Sequence, residues 1–265
     1  MSVQTLYTAA TGMQAMETKL DVIANNLANV NTTGFKKGRA NFEDLFYRHE
    51  ALPGAEVSGG GQTATGTSIG LGTRVSSVQT NFSQGAFELT GNNFDVAIEG
   101  SGFFEVTDGA SGGNLYTRAG NFSVNADGQI VLGSANTGRV VQPPITIPSD
   151  ALDVSIQRDG VVMARQSGQT QATQVGQIQL ATFINPEGLL KLGENLYQET
   201  EASNSATLAN PGETGLGVLA QGALEASNVE PVNELIDLIT SFELNSQAVQ
   251  AGDQILQLVS NLRRF

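Results

Sequence analysis

The 265-residue chain has no cysteine, no tryptophan and a single histidine. Without cysteine there is no disulfide framework, no thiolate metal site and no cysteine nucleophile. His49 is the only side chain whose ordinary pKa suits a base at neutral pH, and a lone histidine is most often a surface residue. No serine nucleophile elbow and no paired metal-binding histidines occur. Basic residues are scarce, 13 against 26 acidic for a net charge of −13, which repels phosphate backbones and anionic lipid surfaces. Nucleic acid is therefore not an expected partner. No stretch has the length and apolarity of a membrane span, so direct membrane insertion is not expected either. The opening Met1-Ser2-Val3-Gln4-Thr5-Leu6-Tyr7 lacks the basic and apolar regions of a cleavable secretory signal. That predicts a cytoplasmic chain or export by a route that reads no such signal.

Glycine is plentiful, with 31 residues, while only 15% of the chain is charged, a mix typical of turn-rich β proteins. Short β-type runs fill the middle: Phe94–Ile98, Gly102–Val106, Phe122–Val124, Gln129–Leu132, Val154–Ile156 and Gly176–Phe183. Asp108-Gly109, Asp127-Gly128 and Asp159-Gly160 are hairpin-type turns between them. Asn125-Ala126-Asp127-Gly128 resembles half a calcium loop but lacks the acidic residue that closes one, so a turn is expected there. The acidic pairs Glu43 with Asp44 and Glu199 with Glu201 have no cleft assigned to them, and solvated charge is the expectation. No catalytic, cofactor-binding or metal-binding residue is proposed from the sequence.

The two ends differ from the middle. Between Val3 and Val30 there is no proline, and Leu6, Ala9, Met13, Met16, Leu20, Ile23, Leu27 and Val30 alternate by three and four. At roughly 1.5 Å per residue such a helix is about 40 Å long, with a stripe narrower than the core face of a globular helix. The same spacing returns in Leu235, Leu238, Phe242, Asn245, Val249, Gly252, Leu256 and Val259, after Pro231. Periodicity leaves two arrangements open: an antiparallel pair capping a domain, or helices that pack between copies. The predicted architecture is α+β, with 1–33 and 227–265 forming an α-helical coiled-coil domain. An extended connector occupies 34–72, Gly/Ser/Thr-rich from Pro53 to Gly72, and an all-β central domain occupies 73–226. Lys36, Lys37, Arg39 and Arg48 form one basic cluster, either an intersubunit contact or a complement to the helix dipole.

The run Ile23-Ala24-Asn25-Asn26-Leu27-Ala28-Asn29-Val30-Asn31-Thr32-Thr33-Gly34-Phe35-Lys36-Lys37 is rich in asparagine, a poor helix former, and Gly34 offers a positive-φ stop. It resembles the signature of the bacterial flagellar basal-body rod and hook family. Leu224-Glu225-Ala226-Ser227-Asn228-Val229 and Asn245-Ser246 are similar to that family's C-terminal signature, so the resemblance covers nearly the whole chain. Phe42–Tyr47, Asp95–Phe104, Pro143–Pro148, Tyr116–Phe122 and Gly193–Tyr197 resemble the distal rod type most. One departure is Thr240-Ser241-Phe242-Glu243, which replaces a Gln-Arg-Ala-Tyr-Glu-type run, and Asn228 to Asn245 is about three residues short of the family pattern, which would rotate the seam by most of a turn.

The resemblance implies a non-enzymatic structural subunit of the distal rod, a tubular drive shaft that transmits motor torque to the hook, in the basal body and across the periplasm. Its implied partners are further copies of itself in a helical homopolymer, proximal rod subunits, hook or hook-junction subunits, the outer-membrane and peptidoglycan bushing rings, and the flagellar export apparatus. The residues expected to mediate self-assembly are Leu6, Met13, Met16, Leu20, Ile23, Asn25, Asn26, Leu27, Asn29, Val30, Asn31, Gly34 and Phe35. From the other end come Leu235, Leu238, Phe242, Asn245, Val249, Leu256 and Val259. The alternatives are a proximal rod or hook subunit of the same family and, from another class, a secreted carbohydrate-binding or glycosidase β protein. The last needs aromatic platforms or a carboxylate pair, and the chain has no Trp and only four Tyr.

Overall fold

The computed structural model describes residues 3–54, 64–108, 112–133, 138–169, 171–213 and 215–262. The chain divides into two compact units. Unit 1 gathers Met1–Ala28, Gly38–Thr80 and Glu230–Phe265; unit 2 holds Asn29–Lys37 and Asn81–Val229.

Unit 1 contains the helices α1 (Val3–Ala28) and α2 (Pro231–Leu262) and the strands β1 (Gly38–Asp44), β2 (Tyr47–Ala51), β3 (Thr67–Gly70) and β4 (Thr73–Thr80). β1 pairs antiparallel with β4 and β2 with β3. Between the two ladders Leu45 N donates to Gly72 O at 2.9 Å and Leu71 N to Phe46 O at 3.1 Å, so the four strands make one continuous two-stranded ribbon. The stretch expected as an extended connector is thus largely hairpin, with 55–63 outside the described residues. α2 opens on Pro231, whose missing N–H costs nothing in a first turn, with Glu234 complementing the dipole.

The described strands of unit 2 all pair antiparallel, and one short 3-10 helix, Pro186–Gly188, interrupts them. The strands are β5 (Phe87–Leu89), β6 (Val96–Glu99), β7 (Phe103–Thr107), β8 (Asn114–Thr117), β9 (Phe122–Val124), β10 (Ile130–Leu132), β11 (Ala151–Ile156) and β12 (Val161–Gln166). They are followed by β13 (Thr173–Gln177), β14 (Leu180–Thr182), β15 (Leu190–Gly193), β16 (Leu196–Gln198), β17 (Thr207–Ala209), β18 (Val218–Gln221) and β19 (Ala223–Glu225). The largest sheet runs β15-β16-β8-β7-β14-β17, and a three-stranded sheet runs β11-β12-β13. β7 is buried on both faces, which is why Phe103-Phe104-Glu105-Val106 does not alternate apolar with polar. Phe104 and Val106 join the main core, and Phe103 joins a second, aromatic cluster with Tyr116, Phe183 and Tyr197. Rings there meet edge to face, Tyr116 and Phe183 at 4.8 Å between centroids.

The expected turns at Gly128 and Gly160 are present, with φ of 79° and 84°. Asn125 Oδ1 accepts from the backbone N–H of Asp127 and Gln129, so that segment is an Asx-type turn. The apolar run 176–183 is not one strand. It is cut between β13 and β14, which belong to different sheets, and Ile178 fills the core between them.

The predicted α+β class with a terminal coiled-coil domain is not what the chain forms. Strand dominates, with a helix near each end, and no extended coiled coil of the terminal helices exists among the described residues. The reason lies on α1. Its most buried positions are Ala15, Ile23 and Asn26, and only Ile23 belongs to the heptad seam. The ribbon takes that face: Asn26 Nδ2 donates to Gly38 O and Gly38 N to Asn26 Oδ1, each at 2.9 Å. Further along, Thr73 N donates to Thr11 Oγ1 at 3.4 Å and Arg48 to Gln4 Oε1 at 2.8 Å. A helix committed to a strand pair cannot present a full heptad stripe to another helix.

Candidate functional site

Two surfaces are set apart by their side chains. The first lies in unit 1, between α1 and α2, where a groove of about 830 Å³ is lined by Ala10, Met13, Leu20 and Phe242 with Gln14 and Glu17 among the polar residues. Lys19 Nζ lies 3.7 Å from Asp237 Oδ2 across the same helices. Among the described side chains of α2, Val232, Leu235, Ile236, Ile239, Phe242 and Leu244 are exposed, Phe242 to 67%. Val232, Leu235, Ile236, Ile239 and Phe242 stand at i, i+3, i+4, i+7 and i+10, so they form one apolar face of the helix that is left exposed, with Leu244 off it.

The second is the loop Asn29–Lys37 in unit 2. Gly34 has φ of 68°, yet α1 has already ended at Ala28, so the glycine is not the helix stop that was expected. It is needed for close approach: a Cβ there would sit 2.8 Å from Ala119 N and 2.9 Å from Arg118 C. Next to it, Lys36 and Glu225 are both 0% exposed at their side chains, with Lys36 Nζ 2.6 Å from Glu225 Oε1. Arg118 Nε lies 3.2 Å from Glu225 Oε2. Lys36 Nζ also donates to Ser83 O at 2.8 Å, and the Arg118 guanidinium donates to Gly100 O and Gly102 O. Burial is the main cause that pushes the Lys36 ammonium below its ordinary pKa; Arg118 adds to it and Glu225 opposes it. Removing one member of such a group leaves a buried charge without its partner.

Three family profiles match the chain. One described as flagella basal body rod protein covers residues 6–36. One described as flagellar hook protein FlgE/F/G D1 domain covers 97–164, and one described as flagellar basal body rod FlgEFG protein C-terminal covers 220–262. The flagellar basal-body rod protein FlgG of Caulobacter vibrioides is 47% identical over 264 residues, 98% of this chain and 99% of its own. Its namesake in Bacillus subtilis is 41% identical over 98% of this chain and 99% of its own, and that of Borreliella burgdorferi 38% identical over 98% of each. The chain belongs to the flagellar basal-body rod protein family. It is a structural protein of the flagellar rod.

In this rod-family chain the asparagine-rich run is shared between the units. Residues up to Ala28 belong to unit 1 and the rest of the run, from Asn29, to unit 2. Of the residues expected in self-assembly, Ile23, Asn26 and Gly34 are buried; Met13, Met16, Leu20, Leu27, Asn29, Val30, Phe35 and Leu238 are half-buried; Asn25, Asn31, Leu235 and Phe242 are exposed. The side chains of Leu6, Asn245, Val249, Leu256 and Val259 lie outside the described part. The structure brings Met13, Leu20 and Phe242 to one groove, while Gly34 and Phe35 serve unit 2.

The basic cluster is not a cluster. Lys36 is inside, Arg39 reaches Gln79 Oε1 and Arg48 reaches Gln4 and Glu50. What the sequence reading missed is the partnership of Lys36 with Arg118, Glu225 and the neighbouring Asn228. All four stand inside runs that carried the family resemblance, but nothing in one sequence joins residues 36 and 225.

Proposed function

We propose that this chain builds the distal part of the flagellar rod, a polymer of its own copies, through the exposed apolar surface of α1 and α2. The observation that carries this reading is the first part of α2, where Val232, Leu235, Ile236, Ile239 and Phe242 make one exposed apolar face. Burying such side chains is favourable by about 1.5–3 kcal/mol each, and other copies offer the surface that the unit lacks. The residues assigned to assembly are Met13, Met16, Leu20 and Leu27 on α1, with Leu235, Leu238 and Phe242 on α2.

The rod carries torque to the hook and performs no catalysis. Its further partners are proximal rod subunits, hook or hook-junction subunits, the outer-membrane and peptidoglycan bushing rings, and the flagellar export apparatus. Phe242→Asp tests the reading, because it puts a charge where an apolar contact is expected and touches no core. In cells lacking their own copy, the variant should leave basal bodies without a distal rod by electron microscopy, while the purified chain keeps its circular dichroism. Normal rods from Phe242→Asp would remove α2 from the interface.

A further inference from the structure

The chain passes between its two units four times, after Ala28, after Lys37, after Thr80 and after Val229. In a shaft, every one of these passages carries load, so what holds them is of mechanical interest. Within unit 2, three of the passages are fastened to one another by one side chain. Asn228 Oδ1 accepts the backbone N–H of Lys37 at 2.8 Å. Its Nδ2 donates to Asn81 O at 2.8 Å, and to Ser83 O and Ser83 Oγ at 3.1 Å. The residues it joins are the last before the second passage, the first after the third, and its own segment just before the fourth. The backbone repeats the tie, with Asn81 N donating to Lys37 O at 2.9 Å and Asn228 N to Phe35 O at 3.4 Å.

The buried ions lie directly behind this side chain. Lys36 Nζ shares Ser83 O with Asn228 and holds Glu225 Oε1, which also accepts from Gly85 N at 2.9 Å. Gly34 N donates to Glu225 O at 2.7 Å and Ala226 N to Ala86 O at 2.8 Å. The segments 34–37, 81–86 and 225–228 are therefore cross-tied by hydrogen bonds that each join residues far apart in sequence. An ordinary turn asparagine bonds its own neighbours within a few residues; Asn228 bonds positions 191, 147 and 145 residues away.

We infer that Asn228, backed by the Lys36–Glu225–Arg118 ion group, is a clasp that holds three of the four passages together, so that torque enters unit 2 through a fastened bundle and not through separate single strands. The mechanical part of the inference rests on the rod reading above; the fastening itself does not. Asn228 is a positioning residue in this scheme, acting on the backbone of Lys37 and Asn81 and on Ser83.

Asn228→Ala in the full chain tests it by two readouts. Hydrogen exchange should rise about tenfold or more at the amides of Lys37, Asn81 and Gly85, because all the bonds to one side chain are lost together, and stay unchanged at Val106 and Leu180 in the sheet. In cells, rods and hooks should form in ordinary number, while swimming speed falls more steeply than in wild type as the medium is thickened. Unchanged exchange at the passages, or a uniform rise across unit 2, overturns the clasp. Selective exchange with unaltered swimming at high load overturns its mechanical role. Where Asn228→Ala builds no rods, Asn228→Asp keeps the acceptor for the Lys37 amide and loses the donations, and its exchange must fall between the other two. Equality with wild type overturns the proposal. If even the wild-type chain builds no rod, the rod reading fails while the exchange result still decides the fastening.

Discussion

Unit 1 and unit 2 of this chain handle their apolar residues in opposite ways. Unit 2 encloses two clusters of apolar side chains between antiparallel strands and buries Lys36, Glu225 and Arg118 against one another. Unit 1 has two long helices and one ribbon, and leaves Phe46, Tyr47 and Leu52 on the ribbon and Leu235, Ile236 and Phe242 on α2 in solvent. A two-stranded ribbon and a helix pair have too little inner surface to hide their apolar residues. Under the proposed reading, the difference separates a part finished in the single chain from a part that neighbouring copies complete.

The sharpest way to break the contrast is to damage the finished half. Glu225→Ala leaves Lys36 and Arg118 as buried cations without their anion and should destabilise unit 2 by about 3–5 kcal/mol in denaturant unfolding. The helices of unit 1 should keep their far-ultraviolet signal at denaturant concentrations that unfold the variant's strands. Simultaneous loss of both signals would mean that the two halves are not independent.

A smaller effect comes from Glu105, buried on β7 opposite Tyr116 of β8. Burial first, and then the charge of Glu199, raises its pKa above the ordinary 4.5. The folded chain then holds this proton more tightly than the unfolded one, so stability is full below that value and falls as pH rises toward the folded pKa. Glu105→Gln removes the penalty. The variant should be more stable than wild type near neutral pH and show no advantage in acid, as measured by melting at both. An equal gain at both pH values would assign the effect to packing.

The smallest change belongs to the surface. Arg158 pairs with Glu99 at 2.8 Å, and both side chains are more than half exposed. Arg158→Ala should alter unit 2 by at most about 1 kcal/mol, less in added salt. A larger loss in the same unfolding experiment would mean that unit 2 depends on its surface charges as well as its interior.

Much of unit 2 was legible because its signals are local. Phe122–Val124 is β9 to the residue, and Asp127-Gly128 and Asp159-Gly160 turn where the dipeptides say they should. The run 176–183 misled, since apolar continuity does not reveal where a strand leaves one sheet for another. The helix over 3–30 was legible from its period and ends only two residues early, at Ala28. Its partner was not legible. A heptad says that one face wants cover, but nothing in the sequence tells that Thr8, Thr11 and Asn26 bind the ribbon, 12 to 63 residues away.

By itself the sequence determined the kind of molecule. Composition ruled out thiol chemistry, three- and four-residue spacing marked the helices, glycine-bearing dipeptides marked the turns, and the asparagine-rich run marked the family. Only the tertiary structure decided that this run is divided between two units and that Lys36 is an interior residue paired with Glu225. It alone showed Asn228 joining segments 145 to 191 residues away. The physical reason is separation. Local rules act through neighbours on one helix or hairpin, whereas a buried ion pair or a clasp exists only once distant strands have been folded against each other.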